Sequence, residues 1–101
     1  MTVRELISKK DYDYISFRVT GPPDLPYLDE EDPTEFYGSC HSINGELIPD
    51  DGDIYSMDEE LVRWEEWSNE ELGIKNGLTV VEKGEWYTPN GEVYWNVSSG
   101  K

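Results

Sequence analysis

The chain has 101 residues, of which 36% are hydrophobic and 13% aromatic, and its formal net charge is −15. This length fits one domain with a modest core, and the aromatic content excludes wholesale disorder. The charge would be repelled by anionic membranes and by nucleic acid, so we expect direct binding to neither. The single cysteine, Cys40, excludes an internal disulfide and a cysteine-based zinc site. Without a secretory signal or a long apolar stretch, the sequence predicts a soluble, intracellular protein.

The first predicted element is a short N-terminal helix. Residues 2–5 (TVRE) have the pattern of a capping box, in which a threonine and a glutamate each bond the other's backbone N–H. Val3, Leu6 and Ile7 recur at helical spacing and would form the buried stripe. We expect this helix to run to about Lys10.

A strand and a long loop are predicted next. Residues 14–20 alternate in polarity and place Ile15, Phe17 and Val19 on one face, which is typical of a strand with one buried side. Residues 21–34 contain four prolines and five acids. Because proline cannot donate to a ladder of hydrogen bonds, this segment is predicted to be a loop.

The middle of the chain predicts a hairpin followed by an ambiguous segment. Asn44 and Gly45 separate two strand-like runs and are the pair of residues best suited to a type I′ turn. The next segment has helical spacing at Met57, Leu61 and Trp64, yet it is rich in strand formers. We predict one helical turn over residues 57–61 and a strand near 62–68.

The C-terminal third predicts further strands. The Asn76-Gly77 pair indicates a turn, and the β-prone run 78–81 after it could pair back on residues 62–68. Residues 85–88 and 92–97 would form a second hairpin. Together these elements predict a single α+β domain over residues 1–101: a short N-terminal helix packed on a mostly antiparallel sheet built from hairpins, with 98–101 as a frayed tail.

The sequence offers little support for catalysis or for a metal site. His41 is the only histidine and adjoins the only cysteine, Cys40, and neighbours on a strand point to opposite faces, so the two cannot act as base and nucleophile. The acids within residues 29–32 and 50–53 could offer oxygens to Ca²⁺ or Mg²⁺, but neither run has the ligand register of a calcium loop. We therefore expect no enzyme activity, no cofactor and no specific metal site.

Acidic residues are the most informative feature of the sequence. Seventeen of the 23 acids lie between Asp24 and Glu71, where Arg63 is the only lysine or arginine. Carboxylates two residues apart on a strand are about 6.7 Å apart, twice the axial rise of about 3.4 Å between phosphates of one nucleic-acid strand. Such an array can occupy lysine and arginine sites that serve phosphates. The alternative is a solvated face without a specific role.

We predict that three acidic runs and two interleaved tryptophans contact a basic protein surface. Aromatic side chains among charged ones are typical of protein interfaces. The predicted partner-binding residues are Asp29, Glu30, Glu31, Asp32, Asp50, Asp51, Asp53, Asp58, Glu59, Glu60, Glu65, Glu66, Glu70, Glu71, Trp64 and Trp67.

Several segments resemble small acidic proteins carried by phages and conjugative elements of Firmicutes. The similar segments are 2–7 (TVRELI), 11–14 (DYDY), 55–60 (YSMDEE), 64–71 (WEEWSNEE) and 77–81 (GLTVV). Some members of that pool are anti-CRISPR proteins, and those directed at Cas9 often mimic nucleic acid. The resemblance thus implies a type II anti-CRISPR protein in the cytoplasm of a bacterial host. It transfers no individual inhibitory residue.

Two functions remain open from the sequence. The first is an inhibitor whose acidic face occupies a basic channel of Cas9 and blocks guide RNA or target DNA. The second is an accessory protein that binds another basic host protein, such as a restriction enzyme, a repressor or a conjugation factor. The charge pattern fits both, and it does not define an oligomeric state.

Overall fold

A computed structural model of the chain describes residues 1–21, 31–50, 52, 55–86 and 95–97. These residues form one short helix, a five-stranded mixed sheet and a two-stranded sheet, an arrangement that fits the α+β class. In chain order the elements are α1 (Val3–Ile7), β1 (Tyr14–Thr20), β2 (Thr34–Ile43), β3 (Glu46–Pro49), β4 (Arg63–Asn69), β5 (Ile74–Glu82), β6 (Gly84–Trp86) and β7 (Trp95–Val97).

The capping box at the start of α1 is confirmed. The Thr2 hydroxyl accepts a hydrogen bond from the backbone N–H of Glu5 at 3.3 Å, and the Glu5 carboxylate accepts one from the backbone N–H of Thr2 at 3.0 Å. The helix ends at Ile7, with Ser8 as its C-cap, and so is shorter than the predicted run to Lys10. The Ser8 hydroxyl donates to the Glu5 carbonyl at 2.7 Å, which satisfies one carbonyl of the last turn.

The five-stranded sheet has the order β3-β2-β1-β5-β4. Three of its neighbouring pairs are antiparallel, but the central pair, β1 and β5, is parallel. The prediction of a sheet built from hairpins is therefore wrong at its centre. The Asp13 carboxylate helps to fix this pairing, because one of its oxygens accepts from the backbone N–H groups of Lys75 and Asn76, both at 2.9 Å.

One face of the sheet, here called the helix face, carries α1 and the core. Phe17 is fully buried there and stacks on Tyr55 with ring centroids 4.7 Å apart. The register between β1 and β2 shifts after Phe17, and Tyr37 packs edge-on against the same ring. The buried cluster consists of Val3, Leu6, Ile7, Tyr12, Ile15, Phe17, Cys40, Tyr55, Leu61, Leu78 and Val80. Tyr37 and Tyr55 therefore contribute to the core.

The predicted first hairpin is confirmed. Asn44 and Gly45 have φ angles of 53° and 79°, as a type I′ turn requires, and they join β2 to β3. Leu47 on β3 packs against the core, whereas Ile43 and Ile48 are exposed.

Residues 57–61 do not form the predicted helical turn. Their backbone groups bond instead to the N-terminal segment: Arg4 N–H donates to the Met57 carbonyl, and Leu61 N–H donates to the Met1 carbonyl, both at 2.9 Å. The side chain of Leu61 is buried in the core. Tertiary bonds thus replace the local bonds that a helix would need. The strand predicted near 62–68 is confirmed as β4.

The turn predicted at Asn76-Gly77 is also wrong, because both residues lie inside β5. The chain turns earlier: Gly73 has a φ of 72°, and its N–H donates to the Glu70 carbonyl at 3.1 Å. β5 then pairs back on β4, as expected. The Trp67 ring lies so close to Gly77 that an added Cβ would come within 2.7 Å of it.

The second hairpin is confirmed in its backbone pairing. β6 and β7 are antiparallel, with Trp86 opposite Trp95 and Gly84 opposite Val97. Its predicted turn, most of the proline-rich loop and the predicted frayed tail lie outside the described residues.

Candidate protein-binding surface

Two of the predicted acids are bound to the N-terminal segment of the chain itself. The Asp58 carboxylate accepts from Arg4 Nε at 2.7 Å and from Arg4 Nη2 at 3.0 Å. This hydrogen bonding holds the pKa of Asp58 below its ordinary value. Glu60 forms an ion pair with the amino group of Met1. Both carboxylates are exposed, yet each already has a cationic partner.

Glu66 lies on the helix face of β4 and is bound by two side chains. Lys10 Nζ is 3.0 Å from one of its carboxylate oxygens, and the Tyr12 hydroxyl donates to the other at 2.9 Å. Both bonds lower the pKa of Glu66, and the bond from Lys10 has the larger effect. Burial, together with the hydrogen bond and the charge of Glu66, raises the pKa of Tyr12 to about 12. Glu66 thus has a structural role.

Asp32 and Asp50 are also paired within the chain. Burial of Asp32 by itself would raise its pKa. Its carboxylate, however, accepts a hydrogen bond from Thr34 Oγ1 at 2.8 Å and lies 2.9 Å from the guanidinium of Arg63 and 3.4 Å from that of Arg18. These contacts outweigh burial, so the pKa of Asp32 is lowered. Asp50 lies 2.9 Å from His41 Nδ1.

Glu65, Glu70 and Glu71 differ from these acids. All three are exposed, and within the described part of the chain no ion pair or side-chain hydrogen bond involves them. Glu65 lies on β4, and Glu70 and Glu71 lie in the turn that follows it. Glu31 is exposed and Glu59 is half-buried.

Exposed apolar side chains lie along the same strand. Val62, just before β4, is 52% exposed, and Trp64, within β4, is 42% exposed. Leu72, in the turn after β4, is 69% exposed. We call residues 62–72 the β4 edge. A shallow cavity of about 330 Å³ lies at its turn, lined by Ser68, Glu70, Gly73, Ile74 and Lys75.

The two predicted tryptophans have different roles. Trp64 is opposite Val80 and therefore on the helix face, whereas Trp67 is opposite Gly77 on the other face of the sheet, here called the outer face. The Trp67 indole N–H donates to Thr79 Oγ1 at 2.9 Å, and its ring packs edge-on against Tyr14 at 6.0 Å. Trp67 is thus held by the sheet, and Trp64 is the more accessible of the two.

The acids that the structure describes do not gather on one face. Asp58 and Glu60 lie against the N-terminal segment, Asp32 lies near the start of β4, and Glu70 and Glu71 lie beyond its end. Consecutive residues on β4 also point to opposite faces, so the carboxylates of Glu65 and Glu66 do not lie side by side. Asp29, Glu30, Asp51 and Asp53 lie outside the described residues.

The sequence reasoning missed Val62 and Leu72 as part of this surface. Val62 is two residues before Trp64, so a strand places both on one face, and this spacing could have been recognised. The exposure of Leu72 depends on where the chain turns, and the turn was predicted at Asn76-Gly77 instead of at residues 70–73.

Residues with catalytic or metal-binding chemistry do not cluster in the described part of the chain. Cys40 is fully buried on the helix face, and His41 is opposite Ile48 on the outer face. Among the residues described, no group of three or more histidines, cysteines or acids could hold a metal ion. Within the same ranges, no helix has the length and apolar character needed to cross a membrane.

The β4 edge therefore combines three carboxylates that form no ion pair with any described residue, an exposed tryptophan and flanking aliphatic side chains. Comparison of the whole chain with protein-family models, with curated proteins and with solved structures finds no match.

Proposed function

We propose that this protein is an inhibitor that binds a basic, nucleic-acid-binding surface of another protein through its β4 edge. The observation that carries the proposal is the difference between two groups of acids. Asp32, Asp58, Glu60 and Glu66 are engaged by cationic groups of the chain, whereas Glu65, Glu70 and Glu71 extend into solvent without such partners in the described ranges. Carboxylates of the second group can pair with a partner without first breaking an internal bond.

The physical basis is competition for lysine and arginine side chains. A basic groove that binds phosphates by charge also attracts carboxylates, and the charge of −15 steers the encounter. Trp64 would provide the aromatic contact that stabilises many interfaces at their centre. Because the acids in the described ranges do not form a ladder with phosphate spacing, this proposal requires charge complementarity and not a copy of the nucleic-acid backbone.

Cas9 is the partner that we propose to test first. Its nucleic-acid channel is positively charged and recognises the backbone and shape of the heteroduplex, so a carboxylate-bearing surface can compete there. The similarity of several segments to proteins of phages and conjugative elements supports this choice. A restriction enzyme, a repressor or a conjugation factor with a basic groove would suit the same surface.

The test is a binding and DNA-cleavage assay with purified Cas9, alone and loaded with guide RNA, at several salt concentrations. We expect binding that weakens as salt is added and inhibition of cleavage. Adding the protein before or after guide RNA separates a block of guide loading from a block of target binding. Absence of binding at low salt to both forms of Cas9 would exclude Cas9 as the partner.

A matched pair of variants tests whether the β4 edge is the contact. Glu65→Lys and Glu46→Lys change the net charge equally, but Glu65 lies on the edge strand β4 and Glu46 on the opposite edge strand, β3. We expect Glu65→Lys to weaken binding by about tenfold, because it places like charges together, and Glu46→Lys to have a much smaller effect. Equal losses would mean that only net charge matters.

A further inference from the structure

β4 is an edge strand with a free side in the described part of the chain. It pairs with β5 on one side, and among residues 1–21, 31–50, 52, 55–86 and 95–97 no strand pairs with its other side. The second edge strand, β3, has only four residues and ends in Pro49. Since short strands and proline both weaken edge pairing, β4 is the better site for an added strand.

Two hydrogen bonds identify which backbone groups point outward from β4. The Val81 carbonyl accepts from Val62 N–H at 2.8 Å and so points toward β4, whereas the Asn76 carbonyl accepts from Asp13 N–H at 2.8 Å and points toward β1. Backbone groups alternate between the two sides along a strand, so odd-numbered residues of β5 bond to β4. Their partners on β4 include Arg63 and Glu65.

It follows that Trp64 and Glu66 direct their backbone N–H and C=O groups away from β5, toward the free side. Such groups form a template for another strand. This feature is independent of the acidic side chains, because it depends on the backbone alone. It indicates an extended segment of polypeptide as the ligand.

The side chains of the edge define the kind of segment that fits. Glu65 presents a carboxylate on the outer face of the strand, whereas Trp64 adds an apolar surface that is 42% exposed on the helix face. A second copy of this chain would bring like charges together, which disfavours pairing of β4 with itself. A partner strand with a basic residue opposite Glu65 and a neighbouring apolar residue beside Trp64 would complement both faces.

We propose that the β4 edge binds an extended, basic segment of its partner by β-strand addition. A lysine or arginine side chain lies opposite Glu65, an apolar side chain lies beside Trp64, and the backbone groups of Trp64 and Glu66 bond to the added strand. Main-chain bonds supply affinity in this mode, and alternate side chains supply specificity. The inference rests on the proposed function, since it uses the same surface, and it adds the binding mode.

The test uses two synthetic peptides and the full 101-residue chain. The first peptide is short and β-prone, with two adjacent lysines flanked by valine and threonine. The second has the same sequence and charge, but its backbone nitrogens are methylated, so its backbone cannot donate hydrogen bonds. We expect the methylated peptide to bind at least about tenfold more weakly. We also expect the amide protons of Trp64 and Glu66 to exchange more slowly when the first peptide is bound.

The outcomes separate the two proposals. Equal binding of both peptides, without slower exchange at Trp64 and Glu66, would overturn strand addition and leave charge-driven binding intact. If neither peptide binds and Glu65→Lys has no effect on protein partners, the proposed function fails as well. Sedimentation of the protein without peptide tests for a dimer. If a dimer forms and the Trp64 and Glu66 amides exchange more slowly in it, a second copy of the chain occupies the edge and the proposal is overturned.

Discussion

At the scale of single residues, Tyr12 shows how strongly one buried group can depend on a charged neighbour. Its side chain is only 2% exposed, its hydroxyl donates to Glu66, and Lys10 Nζ lies 5.2 Å from its ring centroid. Burial of the phenol favours its neutral form, and ionisation would also place a second negative charge beside the carboxylate. The contact joins the segment before β1 to the edge strand β4.

The first prediction concerns the alkaline stability of this contact. The pKa of Tyr12 is raised from 10.0 to about 12, so its contribution to folding is complete below pH 10.0 and is lost as the pH rises toward about 12. In Tyr12→Phe this part of the pH dependence should disappear, and the free energy of unfolding at neutral pH should fall by about 1 kcal/mol. Urea denaturation at a series of pH values measures both effects.

Tyr14→Phe is the control for general effects of removing a phenol. Tyr14 lies at the start of β1 and contacts the ring of Trp67. Ultraviolet titration of the tyrosines in the unmodified protein and in Tyr12→Phe should show that the group lost in the variant has a pKa above the ordinary value for tyrosine. An unchanged slope of stability against pH in Tyr12→Phe would contradict the role assigned to its hydroxyl.

At the scale of elements, the chain contains the same dipeptide in two different structures. Asn44-Gly45 turns the chain between β2 and β3, while Asn76-Gly77 lies within β5. Local preference was sufficient to predict the first. The second is extended because the Asp13 carboxylate accepts from the Asn76 N–H and because the Trp67 ring covers Gly77. Asp13 is distant in sequence, and the position of Trp67 depends on the register of β4 against β5.

The second prediction tests the turn that the sequence identified correctly. Gly45 has a φ of 79°, a conformation that residues with a Cβ rarely adopt, although an added Cβ would meet no atom within 4 Å. Gly45→Ala should therefore lower the free energy of unfolding by about 1–2 kcal/mol through backbone strain alone. Urea denaturation measures this change. Asn44→Gly, which permits the same turn, should cost less, and equal costs would refute the assignment to positive φ.

At the scale of the whole molecule, the sequence predicted most strands but not how they are ordered. Alternation along residues 14–20 indicates a strand and its buried face, yet nothing in that pattern states that β5 is a parallel neighbour. The partner depends on contacts between distant segments, such as Asp13 with Lys75. The clustering of acids was likewise visible in the sequence. Which acids are neutralised was not, because Arg4 and Lys10 reach Asp58 and Glu66 only after folding.

The third prediction follows from the excess of acids that remains after these pairs are formed. A net charge of −15 on a domain of 101 residues opposes compaction through self-repulsion, whereas exposed ion pairs stabilise the fold only weakly. Raising the salt concentration from about 0.05 M to about 0.5 M should screen the repulsion and raise the melting temperature, with each 1 kcal/mol gained adding roughly 4–8 °C. Binding to a basic partner should weaken over the same range, so stability and affinity would respond to salt in opposite directions.

The triple variant Glu65→Gln, Glu70→Gln and Glu71→Gln connects both effects to the β4 edge. It removes three charges that have no ion pair within the described ranges, so it should melt higher than the unmodified protein at low salt and nearly equally at high salt. Its affinity for the basic partner should be lower and less sensitive to salt, because fewer charges act across the interface. Thermal melts and binding isotherms at matched salt concentrations provide the measurement. A melting temperature that falls as salt is added would contradict this prediction, because it would show that attraction between charges within the protein outweighs repulsion. The carboxylates of the β4 edge would then contribute to the stability of the fold.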